Sequence, residues 1–114
     1  MALQYNLAKV YEISENDTEF ALQIVTLFLE EVPAEISSIK AAIKEQDYTR
    51  AYAASHKIKP TLDLLGMDIA YEENIQIMNW TKAEDKKKEI KEVFKSLRDR
   101  IDSTIKEIKK AFKI

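Results

Sequence analysis

His56 is the only histidine in the 114-residue chain, and no other residue in this sequence is better suited to do chemistry. The imidazole side chain changes its charge near neutral pH, and its neutral form has a nucleophilic ring nitrogen. Lys57 and Lys59 follow His56 closely in the chain, and their charges would stabilise an anion on the ring, such as a phosphoryl group. Phosphoryl transfer needs mainly positioning and charge neutralisation, which a solvent-facing histidine beside lysine could supply.

Other kinds of histidine site lack their usual partners. A di-iron site in a helical bundle needs Glu three residues before the histidine, but Ala53 stands there. Zinc would have to be completed by carboxylates, because the chain has no second histidine and no cysteine. Ser55 points ~100° away from His56 around a helix, which disfavours a catalytic triad. Haem ligation by one histidine is possible, but no apolar pocket is evident beside it.

The segment around His56 predicts a helix that holds the imidazole outward. An apolar stripe at spacings of three and four is predicted to face the core, formed by Ala51, Ala54, Ile58, Leu62 and Leu65. His56 falls close to the opposite side of that helix. Pro60 cannot donate to the carbonyl of His56, so the helix should bend or loosen there. We hypothesise that Pro60 keeps the approach to the imidazole clear; a kink without a role is the alternative.

The first long helix is predicted to begin at a cap on Asn16 or Asp17 and to run to about Glu31. It has two apolar stripes, one with Phe20, Ile24, Leu27 and Phe28 and one with Leu22, Val25, Leu29 and Val32. Such a helix is either buried on most sides or partly exposed for a partner. Pro33 is predicted to lie in the first turn of a second helix.

The remaining pattern predicts more helices joined by short loops. Asp47 should cap the helix that carries His56, and Gly66 should end it. A following helix should turn Tyr71, Ile75 and Met78 inward, and the last helix has an apolar stripe at Ile90, Phe94, Leu97, Ile101, Ile105, Ile108 and Phe112. Its solvated face should include Lys86, Lys87, Lys88 and Lys91. We therefore predict one all-α domain over residues 1–114, an antiparallel four-helix up-down bundle with a short N-terminal helix.

Composition narrows the function classes. One glycine and two prolines leave little material for hairpin turns and none for a phosphate-binding glycine loop. The net charge of −2 gives no electrostatic reason to expect nucleic acid as a partner. No apolar run approaches the ~20 residues of a membrane span, and residues 1–16 lack a signal-peptide layout. With no cysteine, the chain fits a reducing compartment, and we expect a cytoplasmic protein.

The segment that starts at His56 resembles the signature of histidine-containing phosphotransfer (HPt) domains. That signature is a histidine, an aliphatic residue, a lysine, a small residue and a glycine, here His56, Ile58, Lys59, Pro60 and Gly66. Most family members have glycine where this chain has Pro60. Residues 17–20 and 27–31 resemble the family's first long helix, and residues 5–7 resemble its lead-in.

The resemblance implies an intermediate in a two-component phosphorelay. His56 would accept a phosphoryl group from an aspartate of one receiver domain and pass it to another, with Lys59 stabilising the phosphate. The receivers would belong to response regulators and hybrid sensor kinases, and they would supply the Mg²⁺. The protein itself would need no cofactor and would have no kinase or phosphatase activity.

In that family, the docking surface surrounds the histidine and draws on the first long helix. Together with residues that share the His56 face, this predicts docking through Leu22, Val25, Leu29, Tyr52, Ala53, Pro60 and Met67. Two other interpretations stay open. The chain could be a non-phosphorylated module that docks or sequesters a receiver domain, or a structural bundle with an incidental surface histidine.

Overall fold

The computed structural model describes residues 5–84 and 88–114, and these form five α-helices without a strand. The helices are α1 (Ala8–Ser14), α2 (Thr18–Glu45), α3 (Tyr48–Leu64), α4 (Asp68–Lys82) and α5 (Glu89–Phe112). Helix α2 packs on α3 and α5, α4 packs on the same two helices, and α1 lies on α2. The predicted all-α bundle with a short N-terminal helix is confirmed.

The positions of two ion pairs show that α2 and α3 are antiparallel. Glu45 lies 3.4 Å from Arg50 near the connecting turn, and Glu35 lies 2.9 Å from Lys57 further from it. Asp47 caps α3, because its carboxylate accepts a hydrogen bond from the amide of Arg50 at 3.1 Å. This predicted cap is confirmed.

The predicted helix break at Pro33 is wrong, because α2 continues through it for 28 residues. The buried stripe of α2 crosses the proline without a change of phase, through Phe28, Val32, Ile36 and Ile39. A break would remove part of that stripe from the core, so burial outweighs the loss of one helical hydrogen bond. Asp17 caps the start of the helix, because its carboxylate accepts hydrogen bonds from the amides of Glu19 and Phe20.

Gly66 lies in the turn after α3, and the N-terminal residues of the chain approach it closely. Its φ of +63° lies in the left-handed region that glycine adopts without strain. A Cβ atom at this position would lie 2.7 Å from the carbonyl oxygen of Asn6. The amide of Asn6 donates to the carbonyl of Leu65 at 2.7 Å, so the glycine permits a backbone contact that ties residues 5–7 to the bundle.

Helices α4 and α5 complete the core. The predicted stripe of α5 is largely buried, although Ile105 and Phe112 remain half-buried. In α4, Tyr71 and Ile75 are also only half-buried, because the inward face is rotated and is formed by Ala70, Asn74, Ile77, Met78 and Thr81. Lys88 and Lys91 are exposed as predicted, whereas Lys86 and Lys87 lie outside the described residues. None of the helices within 5–84 and 88–114 is both long and apolar enough to span a membrane.

Candidate functional site

The His56 side chain is exposed on α3, as the sequence predicts. All five residues of the predicted stripe on the other side of the segment are buried, from Ala51 to Leu65. The ring of Tyr52, one turn earlier, lies beside the imidazole with 6.0 Å between the ring centroids. Within the described part of the chain, no hydrogen bond or ion pair engages the imidazole. Its ring nitrogens are therefore open to a visiting group.

Two neighbours of His56 in the chain fix which helix lies on each side of it. Lys57 donates a hydrogen bond to Glu35 of α2 at 2.9 Å, and the carbonyl of Ser55 accepts one from Asn74 of α4 at 2.8 Å. By helical periodicity, Ala53 and Pro60 then lie on the α2 side of His56. Lys59 and Tyr52 lie on the α4 side. The α2 side of the imidazole is thus lined by small side chains, and the α4 side by a cation and an aromatic ring.

The two lysines beside His56 have different electrostatic surroundings. The hydrogen bond and the charge of Glu35 raise the pKa of Lys57, and the charge of Glu31 adds to this. Lys59 is half-buried, and among the described residues no carboxylate pairs with it. A phosphoryl group on His56 would find an uncompensated cation in Lys59, whereas Lys57 already has a partner.

A buried polar contact supports the turn that carries His56. Asn74 is fully buried, and its amide donates to the carbonyl of Ser55. This contact anchors α3 at a point where Pro60 supplies no amide to the carbonyl of His56. The hydroxyl of Ser55 and the side-chain oxygen of Asn74 are also buried, and neither has a hydrogen-bond partner among the described residues. The sequence does not predict this role of Asn74, because the spacing of a polar residue in a helix gives no signal that it points inward.

Two of the predicted docking residues are in the core instead. Val25 is fully buried and Met67 is 2% exposed, so neither can contact a partner. The buried face of α2 runs between the two predicted stripes, through Ala21, Val25, Phe28 and Val32. The prediction for Met67 extends the helical spacing of α3 past Gly66, but the chain turns there and Met67 is the residue before α4. Tyr52 is half-buried, and Ala53 and Pro60 are exposed.

Leu22 and Leu29 lie on the edge of α2 that faces α5. Leu22 is 40% exposed, and it precedes Lys40 by eighteen residues, which is five full helical turns. Lys40 lines a groove together with residues of α5. Leu29 lies within ~20° of the same direction. Leu22 and Leu29 of the predicted docking stripe therefore face away from α3 and His56.

Residues of the other predicted stripe lie on the α3 side of α2. Ile24 precedes Glu35 by eleven residues, so the two directions differ by only ~20°. Leu27 lies further toward solvent on this side and is 47% exposed. The contact between Glu35 and Lys57 shows that this side of α2 faces α3. From the sequence alone, the position of Ile24 and Leu27 on the same side follows only from their spacing to Glu31 and Glu35. Because Glu35 is level with Lys57 in the antiparallel pair of helices, Ile24 and Leu27 lie on the Pro60 side of His56, ~16 and ~12 Å along α2 from Glu35.

Pro60 does not interrupt α3, which continues to Leu64. Across 5–84 and 88–114, no cluster of three or more His, Cys, Asp or Glu side chains could hold a metal ion. Asp63, two turns after His56, pairs with Lys9 at 2.8 Å.

Comparison of the chain with protein-family models, curated proteins and solved structures gave no match.

Proposed function

We propose that this protein is a histidine phosphotransfer protein that shuttles a phosphoryl group between receiver-domain aspartates in a cytoplasmic two-component phosphorelay. The observation that carries the proposal is the exposed imidazole of His56, held outward by a buried stripe on the other side of α3. Lys59, without a carboxylate partner among the described residues, supports it. So does the resemblance of the segment from His56 to Gly66 to the HPt signature.

The transfer step uses groups that this site offers. The lone pair of the unprotonated ring nitrogen of His56 attacks the phosphorus of a phospho-aspartate. The N–P bond forms as the P–O bond to the carboxylate breaks, and the aspartate leaves as a carboxylate anion. The ring keeps the proton on its other nitrogen and takes on positive charge, so the step needs no general base. Lys59 balances the charge of the transferred group.

The reverse step passes the group to a second receiver. The carboxylate of the second aspartate attacks phosphorus, and His56 leaves as a neutral imidazole. In this proposal the receivers hold the Mg²⁺ and contact Ala53 and Pro60 beside His56, and Ile24 and Leu27 extend the contact surface along α2 beyond Pro60. This surface replaces the predicted stripe at Leu22 and Leu29, which faces α5.

The proposal is tested with two receiver domains. One is phosphorylated on its aspartate with a labelled small acyl phosphate, freed of that reagent and mixed with the protein and an unlabelled second receiver. The label should reach the second receiver with the wild type and with Thr49→Ala, which changes an exposed residue on the same face of α3. It should not arrive with His56→Gln.

The outcomes separate phosphoryl transfer from docking alone. If a panel of receivers binds the wild type and His56→Gln equally, and none transfers label to the wild type, the protein is a docking module. Label transfer that persists in His56→Gln would place the accepting group elsewhere and overturn the proposal.

A further inference from the structure

A groove lined by cations lies on the seam between α2 and α5, separated from His56 by α2. It has a volume of about 350 Å³ and is lined by Lys40, Ile43, Lys44, Lys91, Phe94, Lys95 and Arg98. We call it the basic groove. Its lining contains five cations and no carboxylate, although the whole chain has a net charge of −2.

Three cations elsewhere in the molecule have carboxylate partners that the lysines of the basic groove lack. Lys9, Lys57 and Arg100 each lie within 3 Å of a carboxylate oxygen. In contrast, the four lysines of the groove form no ion pair with any residue in the described ranges. Arg98 has one distant contact, 3.9 Å to the carboxylate of its neighbour Asp99. Five neighbouring like charges repel one another, and an anionic partner would relieve that repulsion.

The floor of the groove is apolar. Ile43 of α2 is half-buried, and Phe94 of α5 is 6% exposed. The four lysines around this floor are exposed, so their charged ends surround a shallow apolar strip. A ligand that fits this pattern carries negative charges around an apolar side chain.

We propose that the basic groove binds a short acidic segment of a protein partner, with an apolar side chain of that segment seated over Ile43 and Phe94. A groove between two helices suits a segment that lies along it, with charge complementarity at the rim. A long nucleic acid fits less well, because its phosphates would pass the exposed carboxylates of Glu89, Glu92 and Asp99. A flat membrane surface would contact the rim but leave the apolar floor empty.

The probe is a fluorescein-labelled peptide of about ten residues, with Asp and Glu around a central Leu and Phe. This length exceeds the ~10 Å that Lys91 to Arg98 span along α5. Fluorescence anisotropy should show binding that weakens as salt rises. A peptide with Lys in place of the acids should not bind, and one with Ser in place of Leu and Phe should bind more weakly.

Charge reversal locates the site. Lys44→Glu combined with Lys91→Glu should weaken peptide binding roughly tenfold, because two exposed attractions become repulsions. The matched control is Lys106→Glu with Lys109→Glu, which reverses two exposed lysines further along α5 and should change the affinity less than about twofold. Circular dichroism of each variant checks that the helices are retained. His56→Gln should bind the peptide like the wild type, so this proposal fails or stands independently of phosphoryl transfer.

Several results would overturn the proposal. The groove is not a peptide site if the wild type does not bind the acidic peptide, or if both double variants bind it equally. Tighter binding of a thymidine oligonucleotide, or of vesicles rich in phosphatidylserine, with the same loss on Lys44→Glu and Lys91→Glu, would identify a nucleic-acid or membrane surface instead.

Discussion

At the scale of single residues, Lys57 and Lys59 lie close together in the chain but have different electrostatic surroundings. Both follow His56 within three residues, but the carboxylate of Glu35 accepts a hydrogen bond from Lys57, and Lys59 has no such partner among the described residues. An uncompensated cation can stabilise a phosphoryl group, whereas a paired one would first have to leave its carboxylate. The two lysines thus form a matched pair for experiment.

We expect Lys59→Ala to slow phosphoryl transfer from a receiver by about tenfold, because an electrostatic contact to the transferred group is lost. Lys57→Ala should change the rate by less than about twofold, since exposed ion pairs contribute little. Single-turnover transfer kinetics measure both, and circular dichroism checks that each variant is folded. Equal rates for Lys59→Ala and the wild type would remove Lys59 from the mechanism.

Asn74 and Ser55 make a second matched pair, in the buried contact behind His56. Asn74→Ala leaves the carbonyl of Ser55 without its side-chain donor, and we expect the free energy of unfolding to fall by about 1–3 kcal/mol. Ser55→Ala removes a buried hydroxyl without a partner in the described structure, so stability should be unchanged or slightly higher. Urea denaturation measures both. A larger loss for Ser55→Ala than for Asn74→Ala would contradict the assigned contact.

At the scale of helices, the spacing of residues predicts features within one helix but does not predict how helices pack on one another. The inward stripe of α3 and the Asp47 cap followed from spacing within one helix, and both are present. The face of α2 that borders α3 depends on which helix packs on each side of α2. An apolar stripe within α2 does not identify those neighbouring helices. Met67 shows the same limit, because angular counting fails once the chain turns at Gly66.

The continuity of α2 through Pro33 could have been predicted, because Phe28, Val32 and Ile36 keep their spacing across the proline. A proline within a helix leaves the carbonyl four residues earlier, here that of Leu29, without its amide donor. Pro33→Ala restores that donor. We expect the free energy of unfolding to rise by about 1–2 kcal/mol, less than the full helix-interior penalty because proline also restricts the unfolded chain.

Urea denaturation tests the Pro33 prediction, with Ser37→Ala as the control. Ser37 is an exposed residue of the same helix, and its replacement should change stability by no more than about 0.5 kcal/mol. A loss of stability in Pro33→Ala would mean that the proline is favourable where it stands, and that α2 is not one uninterrupted helix.

At the scale of the whole molecule, α2 separates two surfaces of different character. Its 28 residues span ~42 Å, close to the 43 Å length of the molecule. Glu35 lies on the α3 side near His56, and Lys40 and Lys44 lie on the α5 side in the basic groove. Because the surfaces are distinct, substitutions in one should leave the other unaffected.

The most direct test of the central claim is the mass of the intact protein after incubation with a phosphorylated receiver domain. We expect the wild type to gain the mass of one phosphoryl group, which brief acid treatment should remove and fragmentation should place on His56. His56→Gln should keep its original mass under the same conditions. An equal gain in His56→Gln, or a wild-type phosphoryl group that survives acid and maps to another residue, would contradict the account.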